Sequence, residues 1–372
     1  MTTSFSHRAL LRPTAAVFAA TLGAATLTAC SSDGSSADGS DGSSDKDTIH
    51  VVASTSIWAD VAEAVVDTAQ TDVNIDVEAI VTGNGVDPHH FEPTAADIAK
   101  ANEADVIIAG GGGYDAWLYQ AVENQDEIIH ALPLTEHHHD HGHSHDEEHE
   151  HSHDEGHEHS HDHSHEEGHD EGHDHSHEEG HEHGDVETVT MDEAKKIAQD
   201  DPSQITNIDG NEHVWYDAAA IEKVASDVAD MVNETNPDAK ASADPLVKRV
   251  EEIKQRVEKL PQRNYAQTEP IADYIFKYTD STDATPEGYR KATVAEGEPT
   301  AADLAAFLED IKSGKIDLLV FNPQTETDMA ARIRDAAKEQ NIPVVEIGET
   351  PPENTNFLDY YDESVSALEA AK

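Results

Sequence analysis

The 372-residue sequence contains little cysteine, little basic charge and no long apolar run. Its single cysteine, Cys30, excludes an intramolecular disulfide. Lysine and arginine number 23 against 78 aspartates and glutamates, so the formal net charge is −55 with neutral histidine. Because nucleic acid is bound through cationic surface, we expect no nucleic-acid partner. The alanine-rich run over residues 15–25 is too short for a membrane-spanning helix.

The N-terminal residues have the pattern of an export signal. The basic residues His7, Arg8 and Arg12 precede the apolar run, and the small-residue sequence LTAC ends at Cys30. This ending resembles the bacterial lipobox, and the resemblance implies that Cys30 becomes a lipid-carrying mature N-terminus. An ordinary signal peptide followed by a chance cysteine is the alternative. We therefore predict a lipoprotein signal peptide over residues 1–29.

A tether is predicted directly after the signal. The stretch SSDGSSADGSDGSSDKD consists almost entirely of serine, glycine and aspartate, and such a composition cannot bury enough apolar surface to fold. We predict that residues 30–48 flexibly connect a lipid anchor to a folded body. The expected location is secreted and lipid-anchored, on the outer face of the bacterial cytoplasmic membrane.

Strand patterns and helix patterns alternate in two blocks. In the first block IHVVAST, IDVEAIV, DVIIAGG and EIIHALPL predict strands, and IWADVAEAVV has helical apolar spacing. The second block has IDLLVFN and IPVVEIGE as strands between helical segments. This alternation indicates an α/β fold with parallel sheets covered by helices. We predict a first lobe over residues 49–135 plus 186–235, a linking helix over 236–262 and a second lobe over 263–372.

A low-complexity insert over residues 136–185 interrupts the first lobe and contains 20 of the 26 histidines. Imidazoles and neighbouring acids in such a segment can bind Zn²⁺, Cu²⁺ or Ni²⁺ with little discrimination, since no fold imposes a geometry. We expect a disordered loop that captures, buffers or senses zinc; a solvated acidic linker is the alternative. Its predicted accessory ligands are His137, His138, His139, His141, His143, His145, His149, His151, His153, His157, His159, His161, His163, His165, His169, His173, His175, His177, His181 and His183.

Two histidines outside the insert lie in loops before helices. His89 occurs in GVDPHHFEPTAAD and His213 in NEHVWYD. In open α/β sheets such loops bind ligands, although each histidine could equally be an ordinary loop or capping residue. Glu269, in TEPIADYIFKY, and Glu349, in EIGETPPENTNF, occupy corresponding places in the second block. Spacing alone does not select these two from the 78 acids.

These segments resemble the zinc/manganese family of ABC-transporter solute-binding lipoproteins. VVASTSIWADVAEAV resembles the opening strand and helix of the family, and GVDPHHFEPTAADI, NEHVWYD and TEPIADYIFKY resemble its first three metal loops. The resemblance extends from about Val51 to Leu368, apart from the insert. Asn211 and Glu212 stand where the family usually has Asp-Pro. Glu269 matches the branch that carries glutamate where zinc-uptake members often have histidine.

The resemblance implies two α/β lobes joined by a long linking helix, with a metal site in the cleft between them. The implied ligands are His89, His213, Glu269 and Glu349, two from each lobe, and His90 is the alternative to His89. Metal binding would then draw the lobes together by a hinge-type change. Two imidazoles and two carboxylates suit Zn²⁺, and Mn²⁺ is the alternative because oxygen-rich sites suit harder ions.

The function implied is that of a monomeric receptor that captures Zn²⁺ and delivers it to the permease of an ABC importer. The insert favours zinc, since zinc-specific members often carry one. The alternatives are the same fold serving Mn²⁺ and a histidine-rich zinc buffering or storage lipoprotein. Four protein ligands leave no position for an activated water, and the sequence has no His-Glu-x-x-His helix, so we expect no enzyme activity. Cell adhesion is attributed to some members of this family, but no residue of this chain indicates it.

Overall fold

The structure is a computed structural model of the chain. Cys30, His89, His90 and the histidines of the insert lie outside the residues that it describes, so the predictions made for them stay predictions. Within the described part, no helix has both the length and the apolarity needed to cross a bilayer. The described residues are 48–70, 74–83, 85, 91–123, 128–135 and 187–372.

The first lobe is built on a four-stranded parallel sheet with the order β2-β1-β3-β4. All four strands predicted from the apolar runs of the first block are present. The strands are β1 (Thr48–Thr55), β2 (Asn74–Val81), β3 (Val106–Ala109) and β4 (Ile128–His130), and the helices between them are α1 (Ser56–Val66), α2 (Ala95–Asn102) and α3 (Ala116–Tyr119).

Both faces of the first sheet are covered, which explains the continuous apolar runs. Val51 and Ala53 of β1 belong to the main apolar cluster of the protein. Val52, between them, belongs to a second cluster together with Ile107 of β3 and Leu118 of α3. Successive side chains of a strand point to opposite faces, so both sets of residues must be apolar when helices cover both faces.

The second lobe contains a four-stranded parallel sheet with the order β10-β9-β7-β8. Its central strands β7 and β9 carry the side chains that pack against the helices. The strands are β7 (Asn264–Gln267), β8 (Thr282–Asp283), β9 (Leu318–Phe321) and β10 (Val344–Glu346), and the helices are α7 (Asp273–Phe276), α8 (Glu287–Val294), α9 (Ala301–Lys312), α10 (Asp328–Glu339) and α11 (Phe357–Ala370).

Three elements follow the insert in a stretch where none is predicted from the sequence. They are β5 (Thr188–Val189), α4 (Met191–Asp200) and β6 (Asn207–Ile208), and β5 pairs with β6 in parallel. The two strands have two residues each, too few to show a period. Helix α4 places Met191, Ala194, Ile197 and Ala198 on one face and begins at the capping threonine Thr190, so its pattern is helical and the sequence prediction missed it.

Helices α5 (Ala218–Thr235) and α6 (Asp244–Val257) lie between the two blocks. The 14-residue α6 occupies the middle of the predicted linking range, residues 236–262, and proline stands in its first turn, where no intrahelical N–H bond is lost. Helix α6 contacts α1, α5 and α11. Val228 of α5, Val250 of α6 and residues of both sheets belong to one apolar cluster, so a continuous core joins the two sheets.

Candidate metal centre

Three of the four predicted ligands converge at one buried point. His213, Glu269 and Glu349 each offer a ligand atom, and these atoms all lie within 4.8 Å of one another. The Nε2 atom of His213 is 3.3 Å from Oε1 of Glu269. His213 and Glu349 are buried, and the Glu269 side chain is 13% exposed. The fourth predicted ligand, His89, lies in the stretch 86–90, outside the described residues.

His213 is presented by a tight connection between β6 and α5. Asp209 and Gly210 have φ values of 55° and 88°, so the chain turns sharply immediately after β6. A single 3₁₀ turn, Val214–Tyr216, follows the histidine. Asp217 then caps α5 by accepting from the backbone N of Ala219 at 3.1 Å. The histidine therefore sits in a short loop held at both ends.

The imidazole of His213 is oriented by Asn211 and by aromatic neighbours. Its Nδ1 atom is 2.7 Å from Oδ1 of Asn211, and its Nε2 atom faces Glu269. Trp215 contacts the imidazole edge-on, with ring centroids 5.2 Å apart, and also contacts Tyr114 at 4.6 Å. The contact with Asn211 leaves Nε2 as the nitrogen directed at the carboxylates.

Glu269 lies just beyond the end of β7, beside the end of the neighbouring strand β9. One of its oxygens, Oε2, accepts from the side-chain amide of Asn322 at 2.6 Å and from the hydroxyl of Thr325. Its other oxygen, Oε1, faces His213. Asn322 directly follows β9. Because parallel strands end at the same edge of a sheet, these side chains meet there.

Glu349 is fully buried beyond the end of β10. Its Oε1 accepts from Asn322 at 3.2 Å, and its Oε2 accepts from the phenol of Tyr114 at 3.1 Å. Burial, followed by the charge of Glu349, raises the pKa of Tyr114 well above its ordinary value, so the phenol keeps its proton and donates. Tyr114 follows β3 and brings a first-lobe group to the site.

Three neutral side chains, Asn322, Thr325 and Tyr114, donate to the two carboxylates. Asn322 bridges Glu269 and Glu349, and Thr325 and Tyr114 each hold one of them. A neutral donor orients a carboxylate without cancelling its charge. Two negative carboxylates in a buried place repel each other, and a cation between them relieves that repulsion. The arrangement is suited to binding a small divalent cation.

The His213 loop contacts elements of both lobes. The phenol of Tyr216 donates to the carbonyl of Gly348 at 2.7 Å, and the phenol of Tyr361 donates to the carbonyl of Tyr216 at 3.0 Å. Lys277, directly after α7, forms an ion pair with Asp217 at 2.5 Å. On the first-lobe side, Trp215 contacts Tyr114 with ring centroids 4.6 Å apart.

Tyr114, Asn322 and Thr325 contact the candidate ligands but were not among the residues predicted from the sequence. Asn322 stands at the carboxyl end of the strand IDLLVF. Ligands of open α/β sheets bind at the carboxyl ends of the strands, so this position could have indicated Asn322. Tyr114 follows a run of glycines after β3, at the corresponding edge of the first sheet. Thr325 lies in an ordinary polar loop and has no comparable signal in the sequence.

Comparison with known proteins identifies relatives among metal-transport receptors. The manganese-binding lipoprotein MntA of Halalkalibacterium halodurans is 30% identical over 102 residues, 25% of this chain and 32% of that protein. The manganese ABC transporter substrate-binding lipoprotein PsaA of Streptococcus pneumoniae is 37% identical over 91 residues, 22% of this chain and 28% of that protein. The matched segments thus span about a third or less of these relatives.

Solved structures share the fold at low identity. The laminin-binding protein Lmb of Streptococcus agalactiae, described as having adhesin and metal-transporting activity, superposes with a TM-score of 0.55 at 16% identity, covering 87% of this chain and 99% of that one. A crystal structure of ZnuA superposes with a TM-score of 0.53 at 16% identity, covering 87% of this chain and 99% of that one. These similarities confirm the predicted α/β fold of two lobes with parallel sheets.

A family model extends the relationship to most of the chain. The model described as zinc-uptake complex component A, periplasmic, matches residues 51–371. That range includes every described residue of the candidate metal centre. Its members are solute-binding receptors, which confirms the expectation of a protein that is not an enzyme. The chain therefore belongs to the family of periplasmic component A of the zinc-uptake complex.

Proposed function

We propose that this protein is an extracytoplasmic receptor that captures Zn²⁺ in its cleft and delivers it to the permease of an ABC importer. The observation that supports this proposal is the convergence of His213, Glu269 and Glu349, with ligand atoms within 4.8 Å of one another. His89 is the fourth proposed ligand. Zinc is the transported substrate here, so the site must bind it reversibly.

The donor set favours zinc over manganese. Zn²⁺ accepts four nitrogen and oxygen ligands at about 2.0–2.2 Å, whereas Mn²⁺ suits octahedral oxygen sites. Oε2 of Glu269 is occupied by Asn322 and Thr325, which leaves Oε1 as its coordinating oxygen. Monodentate coordination keeps the ligand number low. Two carboxylates and the names of the manganese-binding relatives favour the alternative, a manganese receptor of the same fold.

The first experiment compares Zn²⁺ with Mn²⁺ by metal analysis and calorimetry. It uses the full chain, a variant lacking residues 137–183, and both forms carrying His213→Ala. His50→Ala is the matched control, because His50 is an exposed histidine of β1 with a side chain 51% exposed. We expect the variant without the insert to keep one tight Zn²⁺ that His213→Ala removes and His50→Ala does not. Preference for Mn²⁺ would overturn the zinc assignment. Loss of all tight binding on removal of the insert would support the buffering alternative.

The histidine-rich insert is proposed as an accessory zinc-capturing segment. Imidazole binds metal only when neutral, so capture by this segment should decrease below about pH 6. Zinc uptake into the cleft should be slower at limiting zinc when residues 137–183 are removed. Equal uptake rates at pH 7.5 in the two forms would show that the insert has no such role.

Membrane attachment is proposed to depend on Cys30. Metabolic labelling with a radioactive fatty acid should label the full chain, and Cys30→Ala should abolish the label and release the protein from the membrane fraction. An unlabelled but exported protein would indicate an ordinary signal peptide.

A monomer is proposed as the working unit, and sedimentation of the exported chain tests it.

A further inference from the structure

A buried hydrogen-bond chain runs from the candidate ligand His213 into the second lobe. Its first member is Asn211, which is 2% exposed. Oδ1 of Asn211 accepts from the backbone N of His213 at 2.9 Å and lies 2.7 Å from Nδ1 of the ring. The same oxygen therefore holds both the main chain and the imidazole of this residue.

The orientation of the Asn211 amide follows from its other partners. Its Nδ2 donates to the carbonyl of Pro270 at 2.6 Å and to Oδ2 of Asp273 at 2.9 Å. Both partners can only accept, so the NH₂ group must lie on that side and the oxygen must face His213. Since that oxygen also accepts, Nδ1 must carry the proton. Whenever the ring is neutral, Nε2 is therefore the nitrogen that presents its lone pair towards Glu269.

Asp273 is the member that holds this arrangement in place. It is fully buried, and each of its two carboxylate oxygens accepts two hydrogen bonds. Oδ1 accepts from Gln267 at 2.6 Å and from Arg290 at 3.1 Å, and Oδ2 accepts from Arg290 and from Asn211, both at 2.9 Å. A carboxylate with all four positions occupied cannot rotate, so it gives Asn211 one defined acceptor.

Arg290 clamps Asp273 with a two-pronged contact. Its guanidinium donates to both oxygens of Asp273, which is the strong and directional form of the arginine–carboxylate pair. The same guanidinium bonds Asp283 at 3.0 Å and Asp209 at 2.9 Å. Arg290 thus connects Asp273 with Asp209, which lies just before the His213 loop.

We propose that Asp273 and Arg290 are positioning residues for the metal site, which set the tautomer and the angle of His213 through Asn211. This positioning role depends on one part of the proposed function, namely that His213 binds the ion. Partners that orient a metal-binding imidazole typically contribute 10–100-fold to metal affinity. An amide at position 273 could accept at only one atom, so its NH₂ group would face a donor, and the Asn211 amide would keep the Pro270 carbonyl but lose the charged acceptor of its second N–H.

The test uses the full chain with Asp273→Asn, Arg290→Lys and the matched control Asp310→Asn. Asp310 is a second-lobe acid that accepts from Lys315 at 2.5 Å, and among the described residues it bonds no member of the chain from His213 to Arg290. Zinc affinity is measured by chelator competition, and His213→Ala gives the baseline for zinc held elsewhere on the chain. We expect about 10–100-fold weaker zinc binding in Asp273→Asn and a change of less than about 2-fold in Asp310→Asn.

A second measurement reports orientation without metal. Long-range ¹H–¹⁵N correlation spectra distinguish the two imidazole tautomers, and the His213 signal is the one that His213→Ala removes. We expect the Nδ1–H tautomer in the natural chain and in Asp310→Asn, and a mixed population in Asp273→Asn. Arg290→Lys, which keeps the charge but not the two-pronged contact, should shift both measurements in the same direction by less.

The outcomes separate this inference from the proposed function. Unchanged zinc affinity and unchanged tautomer in Asp273→Asn would overturn the positioning role. If Asp273→Asn does not fold, Arg290→Lys decides the question by the same two measurements. If His213→Ala itself leaves zinc affinity unchanged, the proposed cleft site is wrong, while the tautomer comparison still tests the hydrogen-bond chain.

Discussion

At the scale of single residues, the candidate site is determined as much by neutral donors as by its ligands. Asn322 donates to Oε2 of Glu269 at 2.6 Å and to Oε1 of Glu349 at 3.2 Å. One buried amide thus holds two like-charged groups that would otherwise repel. The spacing of the two carboxylates before the ion arrives depends on this bridge.

Replacing Asn322 with alanine should weaken zinc binding by about 10–100-fold, the usual effect of removing a group that orients metal ligands. Without the bridge the two carboxylates lose a shared donor and separate. Asn102→Ala is the control, since Asn102 accepts from the backbone N of Glu123 at 3.0 Å on the outer surface of the first lobe. Chelator competition on both variants checks the prediction, and equal affinities would contradict it.

At the scale of elements, several helices begin at a side chain that satisfies their first N–H groups. Helices α2, α4 and α9 each start at a threonine whose hydroxyl accepts from the third residue of the helix, while an acid at that position bonds back to the threonine. The pattern T-x-x-D or T-x-x-E is visible in the sequence, and it marks the start of each of these helices.

Thr300→Ala should lower the free energy of unfolding by about 1 kcal/mol, because α9 loses the hydroxyl that accepts from Asp303. Thr300→Ser keeps the hydroxyl and should have a much smaller effect. Urea unfolding of the metal-free variants measures both. A loss in Thr300→Ser as large as in Thr300→Ala would show that the methyl group, not the cap, is responsible.

Asp60 of α1 reaches across to α11, where its Oδ2 accepts from the backbone N of Phe357 at 2.6 Å. Burial raises the pKa of Asp60 from its ordinary value of 3.8 to about 6, even though the hydrogen bond acts in the opposite direction. The raised pKa means that the fold favours the protonated form. The protonated carboxyl of Asp60 therefore adds to the free energy of unfolding. This contribution is complete below about pH 3.8 and is lost as the pH rises through about 6.

Asp60→Asn should therefore stabilise the protein at pH 8 relative to the natural chain, with the difference shrinking as the pH falls towards 4. Asparagine keeps an acceptor for Phe357 and carries no charge. The full pKa shift corresponds to about 3 kcal/mol, and partial exposure of the group reduces the expected gain to roughly 1 kcal/mol. Urea unfolding at several pH values measures it, with Glu103→Gln, an exposed acid at the end of α2, as the control. A gain that does not depend on pH would contradict the assignment to Asp60.

At the scale of the whole molecule, the two sheets share one core, and the His213 loop is fastened to the second of them. Lys277 and Asp217 form an ion pair with side chains 1% and 0% exposed, and Tyr278 also donates to Asp217 at 2.6 Å. This pair attaches α7 to the start of α5, four residues after His213. The loop that carries His213 is thus tied by a buried ion pair to the segment that follows Glu269.

Removing one partner of the Lys277–Asp217 ion pair should lower the free energy of unfolding. Lys277→Met leaves the carboxylate of Asp217 buried without its cation, and we expect a loss of about 3–5 kcal/mol in the free energy of unfolding. The double variant Lys277→Met/Asp217→Asn removes both charges and should recover a large part of the loss. Urea unfolding of the metal-free proteins measures the two, and equal losses in the single and double variants would contradict this explanation.

The sequence by itself determined the class of fold and most of its elements. Long apolar runs and helical periodicities identify β1 to β4, β9, β10 and helices such as α5 and α10, because both faces of each parallel sheet are covered. The short strands β5, β6 and β8 have too few residues to show a period, whereas α4 carries a helical pattern and a capping threonine that were overlooked beside the polar insert. The resemblance to metal-binding lipoproteins selected His213, Glu269 and Glu349, which local spacing could not do.

Only the tertiary structure decided how these residues work together. Glu269, Asn322 and Glu349 are distant in sequence, and they meet because parallel strands β7, β9 and β10 end at one edge of a sheet. The position of the His213 loop also depended on long-range contacts: Trp215 contacts Tyr114 of the first lobe, while Tyr361 and Lys277 of the second lobe bond Tyr216 and Asp217. Local sequence predicts an element from its own residues, whereas such contacts depend on groups that come together only when the core closes.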